Sequence, residues 1–121
     1  MDPSEIDLIV AQDFNGLNAG SFFIRNTPTM KLFVDLWNDP ILVDYAHKNW
    51  LLRDQDLFLH FIFQHPTLRK RVGWMQQNTF NGYAGGLGNA AWRPGDLIIH
   101  FPGCGYDLPR CLAEFKKRRH L

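Results

Sequence analysis

Cysteine, net charge and long apolar runs are scarce in this chain of 121 residues, and each scarcity excludes a class of protein. The formal net charge is +1, so no global field favours nucleic acid or an anionic membrane surface, and we expect no nucleic-acid partner. No apolar stretch approaches the roughly 20 residues of a membrane span. The acidic start Met1–Glu5 lacks the basic and apolar parts of a signal peptide. We therefore expect neither a signal nor an anchor within these residues.

The two cysteines, Cys104 and Cys111, flank a turn-like segment. Their spacing would allow a disulfide loop in a protein that matures in an oxidising compartment. Two reduced cysteines in a small globular domain are an equally good interpretation, and no four-ligand zinc signature accompanies them. Both alternatives stay open on the sequence.

Apolar residues are plentiful at 45%, aromatic residues reach 14%, and this composition predicts one compact domain with a hydrophobic core. Apolar runs predict strands over residues 6–11, 21–25, 72–75 and 97–101, the last of them buried. Thr27 and Pro28 are typical of a helix start, and Asp39–Pro40 ends that helix. Further helices are predicted within 42–50, over 53–64 and over 112–119, and residues 78–88 are predicted to form a mobile loop. Strands that alternate with helices indicate an α/β fold with some parallel pairing.

Three groups of polar residues interrupt the apolar background. Asn18–Gly20 lies between a turn and a strand, where a plain tight turn explains it better than a ligand. Asp54–Asp56 matches the metal-binding pattern D-x-D, but it opens a helix, where aspartate is favoured as a cap. His100 follows a predicted buried strand, where a hydrogen-bonded core histidine is more common than a metal ligand.

Taken together, these groups resemble the galactosyl/mannosyl transferase family 34 of glycosyltransferases. The resemblance covers residues 6–115 and is strongest for the fungal α-1,2-galactosyltransferases and α-1,6-mannosyltransferase subunits. It rests on three segments, in this order: L-N-A-G-S-F-F-I-R-N, R-D-Q-D before a buried helix, and W-R-P-G-D-L-I-I-H-F-P-G-C.

The resemblance implies the carboxyl-terminal part of a GT-A fold, a mixed sheet flanked by helices, that works with a nucleotide sugar and Mn²⁺ and retains anomeric configuration. It assigns His100 to the metal shell and places the backbone of Gly103 near the donor diphosphate. Asn18 and Gly20 would line the donor-sugar pocket. Asp54 and Gln55 would lie beside the transferred sugar and the acceptor hydroxyl as the catalytic pair, with Asp54 steadying positive charge on the sugar.

Against the family pattern, residues 1–121 form a partial glycosyltransferase domain that lacks the nucleotide-binding amino-terminal half and the strand ending in the metal-binding D-x-D. We therefore expect the 121 residues alone not to transfer sugar. The resemblance implies a Golgi lumenal location, a glycan acceptor, and UDP-galactose, GDP-mannose or UDP-xylose as donor. Two alternatives are a non-catalytic subunit of a Golgi glycosyltransferase complex and a glycan-binding module. In the module, Trp50, Trp74, Trp92 and Tyr83 would stack on sugars.

Overall fold

The computed structural model describes residues 2–118 as an α/β structure with mixed strand pairing. The chain divides after Met75 into two compact units. This differs from the single compact domain that length and composition predict. The reason lies in the distribution of apolar residues, because the main cluster of buried side chains draws only on positions from Leu8 to Val72.

The first unit contains a three-stranded sheet of order β2-β1-β3. Strand β1 (Leu8–Asp13) pairs antiparallel with β2 (Gly16–Ile24), and β3 (Val72–Gln76) is the other neighbour of β1. All three predicted strands of this region are confirmed. Strand β2 begins five residues earlier than predicted, because Gly16, at φ +104°, closes a tight turn in which the Asn15 N–H donates to the Asp13 carboxylate.

Four helices complete the first unit, namely α1 (Pro28–Trp37), α2 (Pro40–Asn49), α3 (Asp54–Gln64) and the short α4 (Pro66–Arg69). The predicted cap of α1 is confirmed, since the Thr27 hydroxyl accepts the Met30 N–H at 3.3 Å. Asp39 caps α2 in the same way, accepting from the N–H groups of Ile41 and Leu42.

The core of the first unit is a cluster of aromatic rings around Phe58, which is fully buried on α3. Its ring centroid lies 4.9 Å from Phe33, 4.6 Å from Trp37 and 5.3 Å from Phe22. These are edge and tilted contacts of the kind that favour aromatic pairs. The buried face of α3 also carries Leu57, Phe61 and Ile62, while Phe63 on the opposite side is exposed, so this helix is less buried than its apolar sequence predicts.

Asp7 is a buried carboxylate before β1 that contacts Arg25, directly after β2, and Arg71, directly before β3. Its oxygens lie 2.5 Å from Arg71 Nη1 and 3.5 Å from Arg25 Nε, although its side chain is only 3% exposed. Its backbone N–H also donates to the Arg71 carbonyl oxygen at 2.9 Å. This ion-paired aspartate carries no pattern that marks it in the sequence.

Replacing Asp7 with Asn is expected to lower the free energy of unfolding by about 1–3 kcal/mol, because two charge-assisted interactions with a buried acceptor are lost. Urea denaturation measures the effect. Asp44→Asn is the matched control, since Asp44 pairs with Lys48 on the surface and its loss should cost below about 1 kcal/mol. Equal costs for the two variants would contradict a stabilising role for Asp7.

The second unit contains two short parallel strands, β4 (Gly82–Tyr83) and β5 (Ile99–His100), and the helix α5 (Leu108–Arg118). The predicted parallel pairing is therefore confirmed. The predicted strand 97–101 is shorter and less buried than expected, because Leu97 is 69% exposed and both residues of β5 are half-buried. Strand β4 falls within the predicted loop 78–88, and residue 119 of the predicted terminal helix lies outside the described residues.

Cys104 and Cys111 form a disulfide that joins the loop after β5 to the first turns of α5. This decides between the two alternatives that the sequence leaves open. Cys111 is buried and Cys104 half-buried. No helix within residues 2–118 is both long and apolar enough to cross a membrane.

The variant with both cysteines replaced by serine is expected to lose about 2–3 kcal/mol of stability in the second unit, because the closed loop restricts the unfolded chain. Thermal unfolding monitored by NMR signals of residues 82–118 reports this loss. Adding a reductant should lower the unfolding temperature of the wild type and leave the variant unchanged. A wild type that is equally insensitive to reductant would contradict the prediction.

Candidate functional site

A β-bulge in β2 forms one side of the candidate site in the first unit. Val10 pairs with Phe22, but the next residue, Ala11, pairs with Asn18. Residues 19–21 therefore bulge out of the ladder. Bulges of this kind re-aim side chains and often lie next to active sites.

Asn18, predicted to line the donor-sugar pocket, is buried beneath this bulge. Its Nδ2 donates to Asp13 at 3.0 Å, and its Oδ1 accepts the Gly20 N–H at 2.8 Å. Gly20 itself is exposed on the bulge. The structure thus places Asn18 as the residue that shapes the bulge, with Gly20 on its surface.

The start of α3 is tied to the bulge through Gln55. The Gln55 Oε1 accepts the Ala19 N–H at 2.9 Å, which satisfies a backbone group that the bulge removes from the ladder. The two Nε2–H donors of the same amide are not used in this contact. The Gln55 side chain is half-buried. The structure therefore brings together the predicted residues Asn18, Gly20 and Gln55.

Asp54 and Asp56 have different roles at the start of α3. The Asp56 carboxylate accepts the Leu52 N–H at 2.8 Å and so ties the preceding turn to the first turn of α3, whereas the N-cap residue, Arg53, makes no side-chain cap hydrogen bond within the described residues. The Asp54 side chain is exposed and, within the described part of the chain, has no hydrogen-bond or ion-pair partner. Its backbone is nevertheless fixed, because the Trp37 indole N–H donates to the Asp54 carbonyl oxygen at 2.8 Å.

Arg53, directly before Asp54, has a strained backbone. Its φ of 52° and ψ of −115° are angles that side chains other than glycine rarely adopt. Such strain costs about 1–3 kcal/mol and clusters at functional sites. The strained residue is followed by the Asp54 carboxylate at the N-terminus of α3, which has no partner among the described residues to neutralise it.

In the second unit, His100 is oriented by a buried asparagine. Its Nδ1 lies 2.7 Å from the Oδ1 of Asn81, which is fully buried. Because this oxygen can only accept, the Nδ1 carries the proton and the lone pair of the ring lies on Nε2. Histidines that bind metals are commonly held in this way by a carbonyl or carboxylate.

Gln77 holds the backbone of Asn81 in place. Its Nε2 donates to the Asn81 carbonyl oxygen at 2.8 Å, and its own Oε1 is buried without a hydrogen-bond partner among the described residues. Hydrogen bonds thus link Gln77 to the Asn81 backbone and the Asn81 side chain to the imidazole of His100. They hold the ring in one tautomer and one direction.

The other parts of the predicted metal and diphosphate site are less complete. Gly103 lies in an exposed turn at φ +75°, a conformation that by itself explains a glycine there. Within residues 2–118, no group of three or more histidine, cysteine, aspartate or glutamate side chains is placed to hold a metal ion. His100 therefore fits a single ligand of a divalent cation, while the described residues do not supply a full set.

Sequence reasoning missed Asn81, Asp13 and Gln77. Asn81 precedes a glycine within the predicted mobile loop 78–88, and its partner lies nineteen positions later, so no local pattern indicates the pairing. Asp13 belongs to a turn by composition, and the hairpin register, in which Asp13 pairs with Gly16, brings it to Asn18.

Residues 1–109 match the galactosyl transferase GMA12/MNN10 family. The chain is 41% identical to a probable α-1,2-galactosyltransferase, gmh2, of Schizosaccharomyces pombe, over 96% of this chain and 32% of that protein. It is 38% identical to an α-1,2-galactosyltransferase of the same yeast, over 96% of this chain and 30% of the relative. It is 30% identical to the probable α-1,6-mannosyltransferase MNN10 of Saccharomyces cerevisiae, over 93% and 30% respectively.

The chain thus spans about a third of the length of these relatives. No solved structure matches it. The family match includes the bulge, the start of α3 and the His100 segment. The chain belongs to the galactosyl transferase GMA12/MNN10 family.

Proposed function

We propose that this chain supplies the sugar-facing part of a retaining glycosyltransferase site with a GT-A fold. The observation that carries the proposal is the Asp54 carboxylate. It is exposed, has no partner among the described residues, and lies beside Gln55 on a backbone that the Trp37 indole and the strained Arg53 fix. A fixed negative charge of this kind stabilises positive charge that develops on a sugar as its bond to the leaving group breaks. The family membership supports a nucleotide sugar as donor and a glycan as acceptor.

Gln55 would position the sugar in this proposal. One end of its amide is held by the Ala19 N–H, so the two Nε2 donors have a defined direction. They would donate to a hydroxyl group of the donor sugar or the acceptor. Gly20, on the surface of the bulge, would allow the sugar to approach the backbone closely.

His100 would act as one ligand of Mn²⁺ when the metal is bound, and the metal would offset negative charge on the departing diphosphate. The tautomer set by Asn81 supports this role. Further ligands would have to come from outside the described residues, which hold no three-residue group of their own. The proposed metal site is therefore shared with the part of the relatives' length that this chain does not match. The disulfide supports maturation in an oxidising lumen such as the Golgi.

A chimera tests the proposal. In it, this chain replaces the 116-residue segment that it matches in the α-1,2-galactosyltransferase of Schizosaccharomyces pombe. We expect the chimera to transfer galactose from UDP-galactose to an α-mannoside, measured by mass spectrometry of the product. A folded chimera that transfers no sugar, beside an active parent enzyme, would overturn the proposal.

A further inference from the structure

A second surface of the first unit, outside the residues assigned above to the transfer site, has the character of a ligand site. It is an open groove of about 390 Å³. Six residues line it: Trp50, Asp56, Leu59, His60, Phe63 and Gln64.

The groove follows one face of α3. Positions 56, 59, 60, 63 and 64 recur at the spacing of a single helix face, on the side away from the buried Phe58. From position 56 to position 64 the helix rises by about 12 Å, which is long enough for more than one sugar ring. The groove begins two positions after Asp54, at the same end of the helix.

Trp50 forms an aromatic wall that is held in place. The edge of Tyr45 packs against it with ring centroids 5.5 Å apart at 85°, and the backbone N–H of Trp50 donates to the Ala46 carbonyl oxygen. The ring of His60 lies 5.3 Å from it, tilted by 38°. Because Trp50 also packs on the core, this wall exists before any ligand binds.

Polar groups line the groove beside this wall. Asp56 is fixed by the Leu52 N–H, and Gln64 and His60 are exposed. The carboxylate accepts hydrogen bonds, the amide both donates and accepts, and the imidazole does either according to its tautomer. Among the described residues, no lysine or arginine lines the groove, so they offer no permanent positive charge to a phosphate.

We propose that this groove binds a neutral oligosaccharide and that it is the acceptor subsite of the transfer reaction. The second part of this assignment rests on the proposed function. The face of an indole ring is negative and attracts the weakly positive C–H groups on one face of a sugar ring. Mixed donors and acceptors around such a ring match the hydroxyl groups at its edge. Because Asp56 lines the groove and no lysine or arginine does so among the described residues, the groove suits a neutral sugar better than the diphosphate of a nucleotide sugar.

Titration of the full chain with α-1,6-mannotriose, followed by NMR, tests the groove directly. We expect shifts in the amide signals of residues 50–64 that report a Kd for the wild type. Trp50→Ala should raise that Kd at least tenfold. Gln64→Ala, at an exposed position that does not affect folding, should raise it about three- to tenfold through one lost hydrogen bond.

Phe14→Ala is the matched control, since Phe14 is an exposed aromatic residue outside the groove. The Kd of this variant for mannotriose should equal that of the wild type. Absence of shifts, shifts confined to other residues, or an unchanged Kd in Gln64→Ala would each overturn the proposal. Because no nucleotide sugar is present in this titration, its failure leaves the transfer function standing. Conversely, mannotriose binding beside an inactive chimera would contradict the transfer function and the acceptor assignment, while the groove remains an oligosaccharide site.

Discussion

Asp54→Asn is expected to lower galactose transfer by the chimera about 100- to 1,000-fold, which is the effect of removing one fixed electrostatic group from an active site. The substitution keeps the size of the side chain and removes only its charge. Because the carboxylate is exposed and has no partner among the described residues, folding should not depend on that charge. The backbone contact from Trp37 to the Asp54 carbonyl oxygen is unaffected. The loss should therefore fall on the turnover number, while stability changes by no more than about 1 kcal/mol, the effect of a negative charge at a helix N-terminus.

Asp35→Asn is the matched control for this experiment, since Asp35 is another exposed carboxylate of the same unit, on α1. Its transfer rate should equal that of the wild type. Steady-state rates at saturating donor and acceptor, together with thermal unfolding curves, separate catalysis from stability. If Asp54→Asn transfers sugar as fast as Asp35→Asn, the proposed role of Asp54 is wrong.

Most helices and strands could be predicted from local patterns. The Thr27 cap and Pro28 mark α1, and the apolar residues of β1 and α3 mark elements that bury one face. The weak points are β4 and β5, which have two residues each and depend on pairing between distant segments. Such pairing leaves little local signal in composition or periodicity, so the predicted strand 97–101 is longer than β5, and the sequence predicts a loop where β4 lies.

The candidate site shows the same division between local and distant information. Asp54 and Gln55 lie at a helix start that the sequence identifies, and the family resemblance gives them a role. The structure adds what holds them: the hydrogen bond from Ala19 to Gln55, thirty-six positions apart, and the strain at Arg53. Neither has a sequence signature, because a bulge and a positive φ at arginine arise only when the surrounding chain imposes them.

The Asn81→Ala variant is expected to raise the Mn²⁺ concentration needed for half-maximal transfer by the chimera about 10- to 100-fold. Asn81 does not touch the substrate in this proposal and acts by positioning His100. Without its Oδ1, the imidazole loses the partner that fixes its tautomer and direction. His100→Ala should have a larger effect, since it removes the ligand itself.

A titration of transfer rate against Mn²⁺ measures the effect, and two variants make it specific. Asn81→Asp keeps an acceptor for the His100 Nδ1 proton and should restore metal dependence to within a few-fold of the wild type. Asn89→Ala, at an exposed asparagine of the same unit, should leave it unchanged. A merely structural role for Asn81 predicts lower stability with an unaltered half-maximal Mn²⁺ concentration. That outcome would falsify its assignment as the residue that orients His100 toward a metal.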